Sequence, residues 1–396
     1  MRSRRFAALL VTCFVLLALP LVYLGCNWFD DDEAGGNGPT TSKYVVVANT
    51  YGLWNQGGVG GNLSVFKINS NGTLTFQDNV DLLPGENEPT MIALHPNKKF
   101  VYVASQWSGV TKYSYINVFS FNDNTGALTE IFTVQNPHKH DGTLNLAFTP
   151  DGKFLYTTDP WWSEVQVFGV DNTSGALEYL GFYGVEGAHG IAMHPTGKFL
   201  FVGGNWEYGN GELFAFEINT ATGELTPAPG SPLQPRIGEG PYGAWVWLQT
   251  TYDGNYLFGA GARYGGVWGI DNVTGQLTEL HLENQYYWRI KTLVVTPTLP
   301  FLYVAGWDNN SIAGYKANQD GSVDNVVGSP FAAGENPKSL TVTGDSKYLY
   351  VANYADIDEE NGSVMAYSIA RSTGVLTKIG TYKTPYTQSK NLLAIP

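Results

Sequence analysis

One aromatic and hydrophobic strand pattern recurs seven times along the chain, and this repeat limits the possible folds more than any other feature. Each copy is joined to a mainly apolar run that ends at proline, such as Met91–Pro96. Strands and turns repeated at a period of 45 to 57 residues are typical of a β-propeller. The seven strand patterns begin at Tyr44, Phe100, Phe154, Phe199, Tyr256, Phe301 and Tyr348. A turn of the form Thr-Gly-x-Leu-Thr follows in four copies, at Thr125–Thr129, Thr222–Thr226, Thr274–Thr278 and Thr373–Thr377.

These patterns predict an all-β protein, a seven-bladed β-propeller of four-stranded antiparallel blades that occupies residues 43–396. The apolar run is the innermost strand of each blade, because a strand covered on both faces is apolar throughout. The first copy begins with a second strand at Tyr44, whereas the chain ends with an innermost strand, Asn391–Pro396. We therefore expect the C-terminal strand to complete the first blade and close the ring, which removes the open sheet edge.

The N-terminus has the layout of a secretory signal. Three arginines precede an apolar run from Phe6 to Leu24, and Gly25 and Cys26 follow, as at the lipidation site of bacterial lipoproteins. An uncleaved transmembrane anchor is the alternative, since 19 apolar residues can just span a bilayer. Pro20 and the absence of a basic segment after Cys26 favour the signal. We expect a signal peptide at 1–25, a flexible acidic linker at 26–42, and a domain exported to the cell envelope and anchored through lipid on Cys26.

The net charge of −13 excludes some partners. Without the arginines of the predicted signal it becomes −16, and such a surface repels nucleic acid and anionic lipid headgroups. We expect no nucleic-acid partner, membrane contact only through the lipid anchor, and a monomer. Cys13 and Cys26 are the only cysteines, so the propeller has no disulfide.

One face of the propeller gathers the unusual residues. Loops between second and third strands, and crossovers between blades, share this face, and we predict that it is functional. Lys291, Lys338 and Lys390 with His189 predict a cationic arc near the channel mouth, suited to an anionic or carbonyl-bearing ligand. Solvated loop lysines are the alternative. These four belong to a set that stands six residues before the end of each innermost strand, Thr90, Leu144, His189, Val246, Lys291, Lys338 and Lys390.

Aromatic residues follow the second strands on the same face. They could form a ring of flat surfaces that binds a sugar or another cyclic ligand, or they could pack between blades. The aromatic residues are Tyr51, Trp107, Trp161, Trp206, Tyr264, Trp307 and Tyr354, with Trp54 and Trp162 beside two of them.

The histidines are of two kinds. His138 and His140 lie in a crossover loop on the predicted functional face and are candidate general bases. A third ligand at zinc spacing is missing, so no metal or organic cofactor is expected. His95 and His194 stand beside the proline that ends an innermost strand, at the opposite face, and are expected to be structural. The acidic loop Asp356–Gly362 lacks the spacing of a calcium loop and is interpreted as solvated.

The repeated phrases resemble the seven-bladed lactonase family, which includes propeller-type 6-phosphogluconolactonase and the carboxymuconate lactonising enzyme. The Thr-Gly-x-Leu-Thr turns and the phrase Gly-Ser-Pro-Phe-x-Ala-Gly at Gly328–Gly334 carry the resemblance, which covers Lys43–Pro396. The family's Pro-His-x-His motif and its aspartate are similar to Pro137–His140 and Asp159.

Other family residues have altered counterparts. In place of Gly-Pro-Arg-His the chain has Gly187–Gly190, which puts His189 at the arginine position and Gly190 at the histidine position. Glu207 and Arg263 are loose counterparts of the family's glutamate and arginine.

The resemblance implies hydrolysis of a small lactone without a metal. His138, His140 or His189 would activate water, and Lys291, Lys338 or Arg263 would stabilise the oxyanion. The alternative is a non-catalytic cell-envelope propeller that binds a carbohydrate or a partner protein. Trp107, Trp161, Trp206 and Trp307, with the three lysines, would then form the binding surface.

Overall fold

The computed structural model describes residues 41–51, 60–82, 88–106, 113–136, 142, 145–204, 211–234, 245–261, 264–284, 290–306, 308–354, 362–385 and 388–396. These residues form 29 strands in seven sheets. Within these ranges we find no helix that is long and apolar enough to cross a membrane. The seven sheets are the blades of an all-β propeller, as the repeat predicts.

The blades are numbered along the chain, and their strands are given from the channel outward. Blade 1 contains β29 (Gln388–Ile395), β1 (Tyr44–Tyr51), β2 (Gly60–Ile68) and β3 (Leu74–Asp81). Blade 2 contains β4 (Glu88–Leu94), β5 (Phe100–Gln106), β6 (Tyr115–Phe121) and β7 (Leu128–Gln135). Blade 3 contains β8 (Leu146–Phe148), β9 (Phe154–Asp159), β10 (Glu164–Val170) and β11 (Leu177–Gly184). Blade 4 contains β12 (Ile191–Met193), β13 (Phe199–Gly204), β14 (Glu212–Ile218) and β15 (Leu225–Pro227).

The remaining blades follow the same order. Blade 5 contains β16 (Trp245–Thr250), β17 (Tyr256–Gly261), β18 (Tyr264–Ile270) and β19 (Leu277–Asn284). Blade 6 contains β20 (Ile290–Val295), β21 (Phe301–Gly306), β22 (Ser311–Ala317) and β23 (Val323–Asn325), and β24 (Phe331–Ala332) also pairs with β22. Blade 7 contains β25 (Pro337–Val342), β26 (Tyr348–Asn353), β27 (Ser363–Ile369) and β28 (Leu376–Lys383).

The ring is closed by the last strand. β29 pairs antiparallel with β1, with Ile395 opposite Tyr44, and the Lys43 amide donates to the Ile395 carbonyl at 2.8 Å. The predicted closure is therefore confirmed. All seven predicted second strands begin at the residue that the repeat marked.

The hydrophobic core lies between neighbouring blades. Seven clusters of buried residues each join two adjacent sheets. Tyr44, Val46 and Ala48 of β1 pack toward blade 2, whereas Val45 and Val47 pack toward blade 7. Alternate residues of one strand thus serve two interfaces, which explains why the second strands are apolar throughout.

Two recurring elements of the repeat, an aromatic residue and a glycine, meet at every blade interface. The aromatic residue that begins a second strand packs against the glycine of the outer turn of the next blade. In Gly374, with φ +72°, an added Cβ would lie 2.6 Å from the Phe301 ring. Only glycine combines this backbone conformation with such close contact. The seven pairs are Tyr44 with Gly126, Phe100 with Gly175, Phe154 with Gly223, Phe199 with Gly275, Tyr256 with Gly321, Phe301 with Gly374 and Tyr348 with Gly72.

His95 and His194 join neighbouring blades on the face where the innermost strands end. Both are buried. His95 Nε2 lies 3.0 Å from the carbonyl of Gly152 in blade 3, and His194 Nε2 lies 3.1 Å from the carbonyl of Gly254 in blade 5. These contacts give both histidines a structural role.

Candidate functional site

Three lysines occupy the same structural position in three neighbouring blades. The innermost strands β4, β16, β20, β25 and β29 each contain a β-bulge opposite the end of the second strand. A bulge inserts one residue into the strand and re-aims its side chain. Lys291 of blade 6, Lys338 of blade 7 and Lys390 of blade 1 are bulged residues, so their side chains leave the sheet at one end of the channel. The other two bulged residues are Thr90 and Val246.

A carboxylate and an aromatic ring lie beside two of the lysines, Lys338 and Lys390. Lys390 Nζ lies 2.5 Å from Oε1 of Glu88, the first residue of β4 in blade 2. The Gln106 side chain donates to the second carboxylate oxygen at 2.8 Å. The centre of the Tyr354 ring lies 4.6 Å from Lys390 Nζ and 6.0 Å from Lys338 Nζ, within reach of a cation–π interaction. We call Lys291, Lys338, Lys390, Glu88 and Tyr354 the lysine cluster.

Glu88 is a carboxylate at neutral pH. Burial by itself raises the pKa of this carboxyl. The charge and hydrogen bond of Lys390, the hydrogen bond from Gln106 and the charge of Lys338 outweigh burial and hold the pKa of Glu88 below its ordinary value. The cluster therefore contains a fixed negative charge among the three lysines.

The amine of Lys338 changes its protonation state near neutral pH. Burial and the positive charges of Lys390 and Lys291 lower the pKa of Lys338 to about 7, although the charge of Glu88 raises it. The side chain is half-buried. Near pH 7 the ammonium and the neutral amine are thus present in comparable amounts, which allows the group to donate or accept a proton.

A channel cavity begins directly beyond the cluster. Asn391, Thr292 and Ser339, each next to one of the bulged lysines, line a cavity of about 620 Å³. The innermost strands of all seven blades contribute to its wall, which reaches His194 and Tyr252 at the opposite face. A small molecule held by the lysines would therefore face the channel.

His189 lies at the same end of its blade as the lysines. It precedes β12, and its amide donates to the Gly203 carbonyl at 2.8 Å, near the end of the second strand. Its own carbonyl accepts hydrogen bonds from Asn145 at 2.8 Å and from Thr158 at 2.7 Å, both in blade 3. The backbone of His189 is thus fixed by two blades.

Trp161 lies in the turn that follows β9. The buried Asp159 shapes this turn, because its Oδ1 accepts the Trp161 amide at 3.1 Å and the Trp162 amide at 3.3 Å. The two indole side chains are 63% and 50% exposed. Packing between blades, the alternative for these aromatic residues, therefore does not apply to Trp161 and Trp162.

The other predicted site residues lie outside the described residues. They are His138, His140, Glu207, Arg263, Trp107, Trp206 and Trp307, and with them Cys26, the signal segment, residues 26–40 of the predicted linker and most of the acidic loop Asp356–Gly362. Across the described ranges no group of three or more His, Cys, Asp or Glu side chains could hold a metal ion.

Sequence reasoning missed Glu88 and Gln106. Both are far from Lys390 along the chain and reach it only through ring closure. The available signal was a glutamate at the start of an innermost strand that is otherwise largely apolar. A charged residue at that position needs a partner of opposite sign, and the predicted lysines provide it.

Known proteins share both sequence and fold with this chain. Residues 65–237 match the family described as Lactonase, 7-bladed beta-propeller. The 6-phosphogluconolactonase of Serratia proteamaculans is 28% identical over 191 residues, which are 46% of this chain and 53% of that protein. The 6-phosphogluconolactonase of Bacillus subtilis is 31% identical over 176 residues, 43% of this chain and 47% of that protein. The chain thus spans about half the length of the curated relatives it matches.

A solved structure extends the similarity to the whole ring. The periplasmic gluconolactonase of Pseudomonas aeruginosa superimposes with a TM-score of 0.72 at 16% identity, covering 90% of this chain and 100% of that chain. At this identity the similarity shows a common fold. Together these findings show a seven-bladed β-propeller whose residues 65–237 match the lactonase family.

Proposed function

We propose that this chain hydrolyses a small lactone that carries an anionic group, at the lysine-bearing end of the channel. The observation that supports this proposal is the lysine cluster, which groups lysines of three neighbouring blades with one carboxylate. Their combined field favours a carboxylate or phosphate on the substrate, in a protein whose overall charge is negative. The match of residues 65–237 to the lactonase family supports the reaction class.

In the proposed reaction, a water molecule adds to the lactone carbonyl and the ring oxygen leaves. His189 removes the proton from this water, and Lys291 and Lys338 stabilise the negative oxygen of the tetrahedral intermediate. Collapse of the intermediate breaks the ring C–O bond, and the proton passes to the released alkoxide. General-base help contributes about a hundredfold to ten-thousandfold. Stabilisation of the oxyanion supplies much of the rest.

Four further residues belong to the proposal through the family resemblance. His138 and His140 are additional candidate bases, and Arg263 is an additional candidate for the oxyanion site. Glu207 is the loose counterpart of the family's glutamate. We propose that the reaction needs no metal or organic cofactor.

The test is a pH-stat assay over neutral, carboxylated and phosphorylated lactones. Lys291→Met should raise KM for anionic lactones at least tenfold more than for neutral ones, because about 1.4 kcal/mol of charge attraction corresponds to tenfold. His189→Ala should lower kcat by a hundredfold or more. Lys347→Met is the matched control, because Lys347 is exposed and paired with Asp345 in a turn outside the lysine cluster. Absence of turnover on the whole panel, or equal KM changes for both lactone classes, would reject the proposal.

A second candidate function is carbohydrate binding without reaction. The exposed indoles of Trp161 and Trp162 favour it, since sugars stack on flat aromatic surfaces. Calorimetry with uronic acids and cell-wall sugars should then give a binding signal that Trp161→Ala removes. Phe182→Ala is the control, because Phe182 is also exposed, at 61%, but lies on the outermost strand of the same blade. Equal binding by both variants would exclude the indole surface.

We also propose that the chain is exported, cleaved before Cys26 and anchored by lipid as a monomer. The arginine-led apolar segment supports export, and the structurally similar protein of Pseudomonas aeruginosa is described as periplasmic. Metabolic labelling with a fatty acid should mark the wild type and not Cys26→Ala. Labelling of both the wild type and Cys26→Ala would contradict the lipid anchor. Light scattering tests the proposed monomer by measuring the oligomeric state.

A further inference from the structure

We propose that Lys338 is a nucleophilic amine that forms an imine with the carbonyl group of a small oxo acid. The inference uses the lysine cluster but does not require that the protein hydrolyse lactones. An oxo acid is a molecule with both an aldehyde or ketone and a carboxylate, and the cluster offers a separate partner for each group.

The position of Lys338 favours a neutral amine. Its side chain leaves a β-bulge, is half-buried, and lies between lysines of the two neighbouring blades. A lysine that is desolvated and close to other cations loses its proton more easily, and the neutral amine is the nucleophile. The pKa of about 7 agrees with this geometry.

Three other lysines lie against carboxylates. Lys390 lies 2.5 Å from the Glu88 carboxylate. Lys347 and Lys153 each lie 3.0 Å from a neighbouring aspartate and are well exposed. The carboxylate of Asp345 raises the pKa of Lys347. The geometry therefore distinguishes Lys338 from these three as the reactive amine.

The ligand class follows from the groups around Lys338. Lys291 and Lys390 bring positive charge to the cluster and favour a carboxylate near the amine. The Tyr354 ring, 6.0 Å from Lys338 Nζ, provides a flat wall. The channel cavity of about 620 Å³ begins one residue away, at Ser339, and admits the rest of a small molecule.

The reaction balances without a further reagent. The nitrogen lone pair attacks the carbonyl carbon, the N–C bond forms, and the carbonyl electrons move to oxygen, giving a carbinolamine. Two protons from nitrogen leave with that oxygen as water, and the C=N double bond of the imine remains. Hydrolysis reverses the sequence, so that the imine must be reduced to be observed.

The experiment uses glyoxylate as the probe and cyanoborohydride as the added reductant, with the whole chain at pH 7. Hydride reduces the protonated imine and leaves a carboxymethyl group on the lysine, which peptide mass mapping locates. At pH 7 an amine of pKa about 7 is roughly a thousandfold more deprotonated than an ordinary lysine. Allowing for the weaker nucleophilicity of the less basic amine, we expect Lys338 to be labelled about a hundredfold faster than Lys347 in the same sample.

Variants of the neighbouring lysine separate the chemistry from a loss of structure. Lys291→Met removes a positive charge, so labelling of Lys338 should fall at pH 7 and recover about one pH unit higher. Lys291→Arg keeps the positive charge and should leave the pH dependence of Lys338 labelling unchanged. Lys338→Arg should remove the carboxymethyl peptide.

Two outcomes would overturn the proposal. The first is labelling of Lys338 no faster than that of Lys347, and the second is identical pH profiles for Lys291→Met and Lys291→Arg. A protein that labels at Lys338 and turns over no lactone would reject the proposed lactonase and keep this inference. A protein that turns over lactones but labels Lys338 no faster than Lys347 would reject this inference and keep the proposed lactonase.

Discussion

Replacing Lys390 by methionine should destabilise the protein strongly, because the buried Glu88 carboxylate would lose the cation that contacts it. The side chains of Lys390 and Glu88 are only 12% and 10% exposed, and their charged atoms are 2.5 Å apart. Removing one partner of such a pair costs about 3 to 5 kcal/mol. The hydrogen bond from Gln106 remains to stabilise Glu88, so we expect the lower end of this range, about 3 kcal/mol in the free energy of unfolding.

A double-mutant cycle isolates the interaction from the other effects of each substitution. Urea unfolding of the wild type, Lys390→Met, Glu88→Gln and the double variant should give a coupling energy of about 2 kcal/mol. The matched cycle uses Lys153 and Asp151, whose charged atoms are 3.0 Å apart but whose side chains are 61% and 45% exposed. For this exposed pair we expect a coupling energy of less than about 1 kcal/mol, because water screens the two charges.

The pH dependence provides an independent check on the same pair. The folded-state pKa of Glu88 is lowered, so its stabilising contribution is present above the unfolded pKa of about 4.3 and is lost as the pH falls through the folded value. The stability difference between wild type and Glu88→Gln should therefore shrink in acid. A coupling energy no larger than that of the exposed pair, or a difference that does not change with acidification, would refute the reasoning.

Three further predictions concern the ring and the cluster. Gly374→Ala should cost about 3 kcal/mol, since it adds an overlap with the Phe301 ring to about 1 kcal/mol of left-handed backbone strain. Gly230→Ala, at φ +76° with its nearest neighbouring atom at 3.5 Å, should show the strain alone, and equal costs in urea unfolding would contradict the interface role. Removing residues Gln388–Pro396 exposes the edge of blade 1 and should cause aggregation measurable by light scattering; a soluble monomer with unchanged melting would contradict ring closure. Because the folded-state pKa of Lys338 is below its unfolded value, this residue makes stability rise with pH between about 7 and about 10.4. Lys338→Met should reduce the slope of the unfolding free energy against pH in this range, and parallel curves for the variant and the wild type would contradict the prediction.

The sequence predicted the ring because its strongest repeat is the contact that builds the ring. The aromatic start of a second strand and the glycine of an outer turn are two halves of one interface, so their seven recurrences determine the number of blades. Counting back from the end of each innermost strand also selected Lys291, Lys338 and Lys390, because the bulge lies at the same distance from the end of the innermost strand in these three blades.

What the sequence did not predict depends on contacts between distant segments. No spacing rule relates Glu88 to Lys390, since the two meet only when the ends of the chain pair. The lowered pKa of Lys338 likewise arises from its burial and from the charges of Lys390 and Lys291 on two other blades. The exposure of Trp161 depends on the turn that Asp159 shapes, which the pattern of aromatic residues alone does not determine.

Lys390 lies on β29, the last of the 29 strands to leave the ribosome. During synthesis, Lys390 is therefore the last charged residue of the lysine cluster to be added. It is still in the exit tunnel when Glu88, Lys291 and Lys338 have already been synthesised. Premature termination before β29 yields a product that lacks both the strand that closes the ring and the positive charge of Lys390. The complete lysine cluster therefore forms only in molecules whose translation has passed residue 390.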